Sequence, residues 1–217
     1  MNLNFIPPCE IRLKVLSCVG ILLLCNLVIT FENVVAQEAA VWKVEEDWQL
    51  KTFQPDPSIF SPQVTFFSTP DAAENDSYFQ LQMNYEADES FSAGGFHVAA
   101  VREGEIVDEE RSAQQITLSN PEDEIEWTNV MAVVEGKLLF AVKDGHGQEW
   151  GQFGGPEYLV RIEQSSVVNL QNYRFEQSLE NVDVGFGKNR VASICLKQVR
   201  LFRLDETVET IEVNRSP

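Results

Sequence analysis

Histidine and cysteine are scarce in this chain of 217 residues. The two histidines are His97 and His146, and of the four cysteines only Cys195 lies beyond residue 36. One cysteine can form neither a disulfide framework nor a C-x-x-C metal pair, and no serine stands in a G-x-S-x-G setting. The sequence therefore indicates no disulfide scaffold and no hydrolase triad, and we expect neither a cofactor nor a metal. Cys195 is interpreted as a small buried hydrophobe.

Positive charge is also in short supply. Lysine and arginine number 16 against 34 aspartates and glutamates, which gives a formal net charge of −18. A surface with this charge repels phosphate backbones and anionic lipid. We therefore expect no nucleic-acid partner, and no membrane contact once the N-terminal segment has been removed.

The one long apolar run lies near the N-terminus. Arg12 and Lys14 precede the run V-L-S-C-V-G-I-L-L-L-C-N-L-V-I at 15–29, and small or tolerated residues surround Ala36. This order is typical of a secretory signal peptide, and the run is short for the alternative, a retained membrane anchor. We predict that residues 1–36 form a signal helix, cleaved after Ala36. The mature protein would be secreted, or exported to the periplasm or cell surface.

Helical periodicity is almost absent beyond the signal region, whereas short alternating runs are frequent. Ser77–Tyr85, for example, alternates apolar and polar side chains throughout. About a dozen such runs, separated by Gly, Pro and Asn, favour an all-β fold. We predict an antiparallel two-sheet sandwich or jelly roll, as one domain over 37–213 with a frayed tail at 214–217. The only helical turn predicted in this part is Ser165–Gln171.

The strongest local pattern is a hairpin that begins at Glu126. Val134-Glu135-Gly136-Lys137 has the form of a two-residue turn, which sets the pairing of the flanking strands. One face, expected in the core, pairs Val133 with Leu138, Met131 with Phe140, Asn129 with Val142 and Trp127 with Asp144. The other face, smaller and open to water, a second layer or a ligand, pairs Val134 with Lys137, Ala132 with Leu139, Val130 with Ala141 and Thr128 with Lys143.

A second strand pattern lies near the C-terminus, at V-A-S-I-C-L-K-Q-V-R-L-F. Its apolar phase is lost between Leu196 and Val199, which predicts a β-bulge near Lys197-Gln198.

Together, the hairpin and this late strand resemble concanavalin A-like and laminin-G-like sandwiches. The resemblance rests on a W-x-x-V strand, a glycine turn, a return strand ending in Asp-Gly, and a closing strand of the form I-D-x-V-R-hydrophobic-aromatic. The matching residues are Trp127, Val130, Gly136, Leu138, Asp144, Gly145 and Leu196–Phe202, with Lys197 where an acidic residue is common. The resemblance implies a sandwich of this type, and nearby segments are similar to uncharacterised secreted bacterial proteins.

Glycosidases on that fold carry paired carboxylates on one strand, in patterns such as E-x-D-x-x-E. The nearest candidate here is Glu122–Glu126, in which Glu124 and Glu126 would share a strand face about 6.5–7 Å apart. The run follows Asn120-Pro121 and lacks the family's pattern, so an exposed acidic turn is the favoured interpretation. We assign no catalytic residue, and the sequence leaves open whether the protein is an enzyme.

A glycine-rich loop after the hairpin combines hydrogen-bonding groups with aromatic rings. Sugar recognition uses flat rings for C–H faces and forked polar groups for hydroxyls, so one interpretation is a glycan site. The favoured alternative is that Trp150 and Phe153 turn inward and close one end of the sandwich. The candidate ligand-binding residues are Asp144, His146, Gln148, Trp150, Gln152 and Phe153.

Three hypotheses for function follow from these observations. The first is a secreted, non-catalytic module that binds glycan or another surface polymer. The second is a structural or protein-interaction component of the exported proteome with no small ligand. The third is a glycoside hydrolase.

Overall fold

The computed structural model describes residues 38–53, 64–71, 76–83, 96–111, 122–185 and 190–217. The predicted signal peptide lies outside these ranges. Residues Glu38–Pro217 belong to one compact unit. In the described part of the chain, no helix is both long and apolar enough to cross a bilayer.

Antiparallel strands dominate the architecture, at 65% strand against 7% helix, and confirm the predicted all-β class. The described residues contain these strands: β1 (Val41–Thr52), β2 (Val64–Ser68), β3 (Ser77–Met83), β4 (Phe96–Arg102), β5 (Glu105–Arg111), β6 (Glu124–Val134), β7 (Lys137–Gly147), β8 (Gly151–Phe153), β9 (Leu159–Ile162), β10 (Val182–Val184), β11 (Val191–Arg203) and β12 (Val208–Arg215).

The strands form two sheets packed as a sandwich. Sheet A has the order β12-β11-β1-β6-β7-β8, with β9 also paired to β7. Sheet B has the order β10-β2-β3-β4-β5. β1 is central in sheet A, because it lies between β6 and the late strand β11.

The space between the sheets is filled by large side chains from alternating positions. Trp48 of β1 stacks on Trp127 of β6 with ring centroids 6.4 Å apart, and Phe66 of β2 meets both rings edge-on at 5.1 Å. Phe79 of β3 stacks on Phe140 of β7 at 5.1 Å. These contacts join the two sheets, so the inner faces form the core.

The hairpin register is confirmed over seven of the eight predicted pairs, from Val134–Lys137 to Thr128–Lys143. The eighth, Trp127 with Asp144, is wrong. Glu126 pairs with His146, so Asp144 and Gly145 together oppose Trp127 in a β-bulge. Asp144 takes a left-handed backbone conformation, with φ of 53°, to accommodate the extra residue. The predicted register would have placed His146 on the inner face of sheet A. The extra residue shifts the alternation of side chains by one position, so His146 lies on the outer face.

The second predicted bulge is confirmed at Lys197 of β11. Asp47 pairs with Gln198 and Trp48 with Leu196, so Lys197 is the extra residue. The predicted frayed tail begins too early, because β12 continues through Arg215 and Leu196 pairs with it.

The helix prediction over Ser165–Gln171 is wrong, because this segment has no helical turn. The described helices are a 3-10 turn at Pro156–Tyr158 and the helix α1 at Phe175–Glu180. α1 has six residues, too few to be stable by local propensity. It forms because Ser178 and Leu179 are buried against the sandwich.

Candidate functional site

The outer face of sheet A, which points away from the core, is polar along β1. Val44, Trp48 and Leu50 point into the core. The side chains of the opposite parity form the alternation K-x-E-x-D-x-Q-x-K, and they are Lys43, Glu45, Asp47, Gln49 and Lys51. This alternation is present in the sequence, but Glu46 interrupts the apolar series of the other parity between Val44 and Trp48.

Strand pairing brings polar residues from distant parts of the chain into line with β1. Gln49 of β1 pairs with Glu126 of β6, Glu126 with His146 of β7, and His146 with Gln152 of β8. Neighbouring rows add further polar groups of the same parity. The polar platform is defined as Asp47, Gln49, Lys51, Glu124, Glu126, Thr128, Lys143, His146 and Gln152.

Gln49 joins the two carboxylates at one end of the polar platform. Its side-chain nitrogen donates to Glu124 and, at 2.8 Å, to Glu126. Both carboxylates therefore lie within hydrogen-bond length of one atom, and their accepting oxygens are at most about 6 Å apart. Lys51 Nζ lies 2.9 Å from Glu124, and His146 Nε2 lies 3.4 Å from Glu126. The shared face predicted for Glu124 and Glu126 is therefore present.

An ion network centred on a buried carboxylate occupies the middle of the outer face. The side chain of Glu45 is 6% exposed and contacts Lys43 at 3.0 Å, Lys143 at 2.9 Å and Arg200 at 2.9 Å. Burial raises the pKa of Glu45, but Lys143 and Lys43 outweigh it and hold that pKa below its usual value. Burial lowers the pKa of Arg200, but Asp47 and Glu45 raise it above the ordinary value. Glu45 and Asp47 are therefore each paired with at least one cation of this network.

The polar platform continues into a groove at the edge of sheet A. The groove has a volume of about 570 Å³ and is bordered by Lys143, Asp144, His146, Gln152 and Glu157. It brings together the predicted residues Asp144, His146 and Gln152, and Phe153 contributes to its wall. All three polar members are exposed at the surface.

The two aromatic candidates lie in the core. Trp150 and Phe153 are 5% and 7% exposed, and both pack on Phe96, with centroids 4.6 and 4.7 Å away. A Cβ at Gly145 would collide with the ring of Phe153, so the bulge glycine makes room for that ring. The rings close one end of the sandwich, as in the favoured interpretation, and they offer no open flat face. The remaining candidate, Gln148, is exposed and does not border the groove.

Asp123 positions the turn that carries these candidates. Its buried carboxylate accepts hydrogen bonds from the backbone nitrogens of Gln148, at 2.9 Å, and Glu149, at 3.2 Å. Its own backbone nitrogen donates to Thr52 at 2.9 Å. The sequence gives no sign of this role, because Asp123 is one of several acidic residues in a row and its partners lie 25 positions or more away.

A second buried carboxylate lies on the inner face of β1. Glu46 accepts hydrogen bonds from Trp48 Nε1 at 2.9 Å, Tyr173 Oη at 2.7 Å, Ser178 Oγ at 2.5 Å and Asn129 Nδ2 at 3.4 Å. Burial, together with the charge of Glu46, raises the pKa of Tyr173 well above its ordinary value. This cluster fastens α1 and the preceding loop to sheet A, and it does not reach the polar platform.

His97 and Cys195 both lie within strands and contact other residues of the protein. His97 is buried on β4, with Nδ1 2.8 Å from Gln82 and Nε2 2.9 Å from Glu109. Cys195 is half-buried, and its thiol donates to the carbonyl of Leu196 at 3.7 Å. Across the described ranges, no three His, Cys, Asp or Glu side chains are grouped so that they could hold a metal ion.

The polar platform therefore presents carboxylates, amides and an imidazole on a rigid sheet, beside an open groove. Such groups can hydrogen-bond a ligand rich in hydroxyls, because a carboxylate accepts up to four hydrogen bonds. The sequence matches no protein-family model and no curated protein.

Proposed function

We propose that this protein is an exported, non-catalytic β-sandwich module that binds a glycan or another polyhydroxylated surface polymer. The ligand would lie on the polar platform and in the adjoining groove. The observation that carries the proposal is the row formed by Gln49, Glu126, His146 and Gln152, which crosses four strands of sheet A. Binding groups held by a sheet are well ordered, so little conformational entropy is lost when a ligand binds.

The burial of Trp150 and Phe153 determines what kind of binding is proposed. Without their ring faces, affinity must come from hydrogen bonds to Glu126, His146 and Gln152 and not from stacking at this loop. Each such bond contributes modestly in water, so several must act together. A polymer, which repeats its hydroxyl groups, suits this requirement better than a single small sugar.

The proposal is tested by binding to a broad panel of immobilised polysaccharides. We expect at least one neutral polysaccharide to bind. Glu126→Gln should weaken that binding about tenfold, the value of one hydrogen bond to a charged group, and His146→Ala should weaken it roughly fivefold, the value of one ordinary hydrogen bond. Glu110→Gln, an exposed glutamate on β5 of sheet B, is the matched control and should bind like the native protein. An absence of binding across the whole panel would contradict the proposal and favour an interaction component with no small ligand.

A glycoside hydrolase is the alternative supported by a specific observation. The accepting oxygens of Glu124 and Glu126 are at most about 6 Å apart, an upper limit that admits the separation of about 5–5.5 Å between the carboxyl groups of retaining enzymes. However, one amide donates to both carboxylates, and this fixes them side by side on a single strand. If the native protein released reducing ends from a polysaccharide, and both Glu124→Gln and Glu126→Gln abolished the release, the enzyme would replace the binding module.

A further inference from the structure

We infer that the polar platform takes a neutral polymer that donates hydrogen bonds, and rejects polyanions. This inference rests on the proposed function and narrows its ligand class. Two properties of the platform support it. Its unused hydrogen-bonding groups are mainly acceptors, and its cations are paired with carboxylates of the protein.

Several donors of the polar platform are already engaged within the protein. The side-chain nitrogen of Gln49 has two hydrogens, and they go to Glu124 and Glu126. Gln49 is itself buried, so it positions the two carboxylates and has no N–H left for a ligand. Lys51 is paired with Glu124 at 2.9 Å, and Lys143 with Glu45 at 2.9 Å.

The acceptors, in contrast, retain capacity and face solvent. The side chains of Glu124 and Glu126 are 43% and 42% exposed, and Asp144 in the groove is 73% exposed. A carboxylate can accept about four hydrogen bonds, more than each of these receives from the described residues. The surface is therefore complementary to O–H and N–H donors. A carboxylate, sulfate or phosphate has no hydrogen to donate to it.

Charge acts in the same direction. The platform and groove carry the acids Asp47, Glu124, Glu126, Asp144 and Glu157 against the bases Lys51 and Lys143, and the whole chain has a net charge of −18. Arg200 neutralises Asp47 through contacts of 2.7 and 2.8 Å. The remaining field repels an approaching polyanion, and repulsion of the wrong ligand is an effective source of specificity.

The test compares three polymers at low and high salt: a neutral glucan, polygalacturonate and dextran sulfate. At low salt we expect binding of the glucan, or of a neutral relative from the panel, at least about tenfold tighter than of either polyanion. Raising the salt concentration from 10 mM to 0.5 M shortens the Debye length from about 30 Å to below 10 Å, and so shortens the range of the repulsion. The affinity for the polyanions, relative to that for the neutral polymer, should therefore increase with salt.

A double variant, Glu124→Gln with Glu126→Gln, removes two charges while keeping the side-chain shapes. We expect this variant to reduce the difference in affinity between neutral and anionic polymers at low salt, and that difference is called the gap below. The matched double variant Glu105→Gln with Glu110→Gln removes two charges from β5 and should leave the gap unchanged. This control separates the local field of the platform from the net charge of the chain.

The outcomes separate this inference from the function on which it rests. If polyanions bind as tightly as the neutral polymer at low salt, or more tightly, the ligand class is wrong while polymer binding stands. If both double variants narrow the gap equally, net charge and not the platform sets the preference, and the inference fails. If no polymer of any charge binds, the proposed function fails and takes the inference with it.

Discussion

Glu46 and Tyr173 illustrate how a single pair of residues can hold distant parts of the chain together. A buried charge is costly unless it is hydrogen-bonded, and Glu46 has neutral donors from β1, β6 and the segment around α1. The apolar alternation of β1 gives no hint of it, since Glu46 stands at a position where a hydrophobic residue is expected. Its partner Tyr173 lies 127 residues away in sequence.

This pair predicts a specific loss of stability at alkaline pH. Because the pKa of Tyr173 is raised in the folded protein, its contribution is fully present below the unfolded value of about 10. As the pH rises further, the unfolded state loses its proton first and stability falls. Tyr173→Phe should lower the free energy of unfolding by about 1.5–3 kcal/mol at pH 8, because it removes a hydrogen bond to a charged group. Between pH 10 and 11, the free energy of unfolding of this variant should fall less steeply with pH than that of the native protein.

Urea unfolding midpoints from pH 8 to 11 measure both effects. Ser178→Ala removes another donor to Glu46 but no titrating group. This variant should therefore be less stable than the native protein, but its unfolding midpoint should change with pH at the native slope. Equal slopes for the native protein and Tyr173→Phe would contradict the assignment.

At the scale of the element, the β7 bulge decides the composition of the candidate site. An uninterrupted hairpin would turn His146 inward, whereas the bulge at Asp144 and Gly145 turns it outward, opposite Glu126. The two-residue turn at Gly136 predicted the near part of the hairpin well, because turn geometry sets register locally. It could not reveal the extra residue eight positions further along, next to the glycine that makes room for the ring of Phe153.

Gly145→Ala tests this view of the bulge. The new methyl group would collide with the ring of Phe153, and we expect a loss of about 1–3 kcal/mol in urea unfolding, together with weaker polymer binding. Phe153→Leu removes the ring edge, so the double variant should be less destabilised than the sum of the two single variants. Strict additivity would show that the ring of Phe153 does not require a glycine at position 145.

At the scale of the whole molecule, the folded unit begins close to the predicted cleavage site. Arg203 contacts the carbonyl of Ala39 at 3.1 Å and the carboxylate of Glu38 at 2.7 Å, and the nitrogen of Leu204 donates to Ala40 at 3.0 Å. The chain is therefore tied to β11 almost directly after Ala36. The net charge of the chain, −18, identifies no partner.

The predicted signal peptide leads to a prediction about the mature chain. Intact-mass measurement of the protein recovered outside the cytoplasm should show loss of 36 residues and a first residue of Gln37. Ala36→Arg places a large charged residue at the cleavage position and should leave the precursor uncut. A mature chain that retains the apolar run would contradict the signal-peptide interpretation and favour an anchor.

By itself, the sequence determined the all-β sandwich class, the seven hairpin pairs nearest the turn, the bulge at Lys197 and the shared face of Glu124 and Glu126. These follow from alternation with period two and from turn chemistry, which are local. Only the tertiary structure decided that Gln49, Glu126, His146 and Gln152 form one row, that Trp150 and Phe153 lie in the core, and that α1 exists. Each of these depends on contacts between residues far apart in the chain, which are set by packing of the whole sandwich.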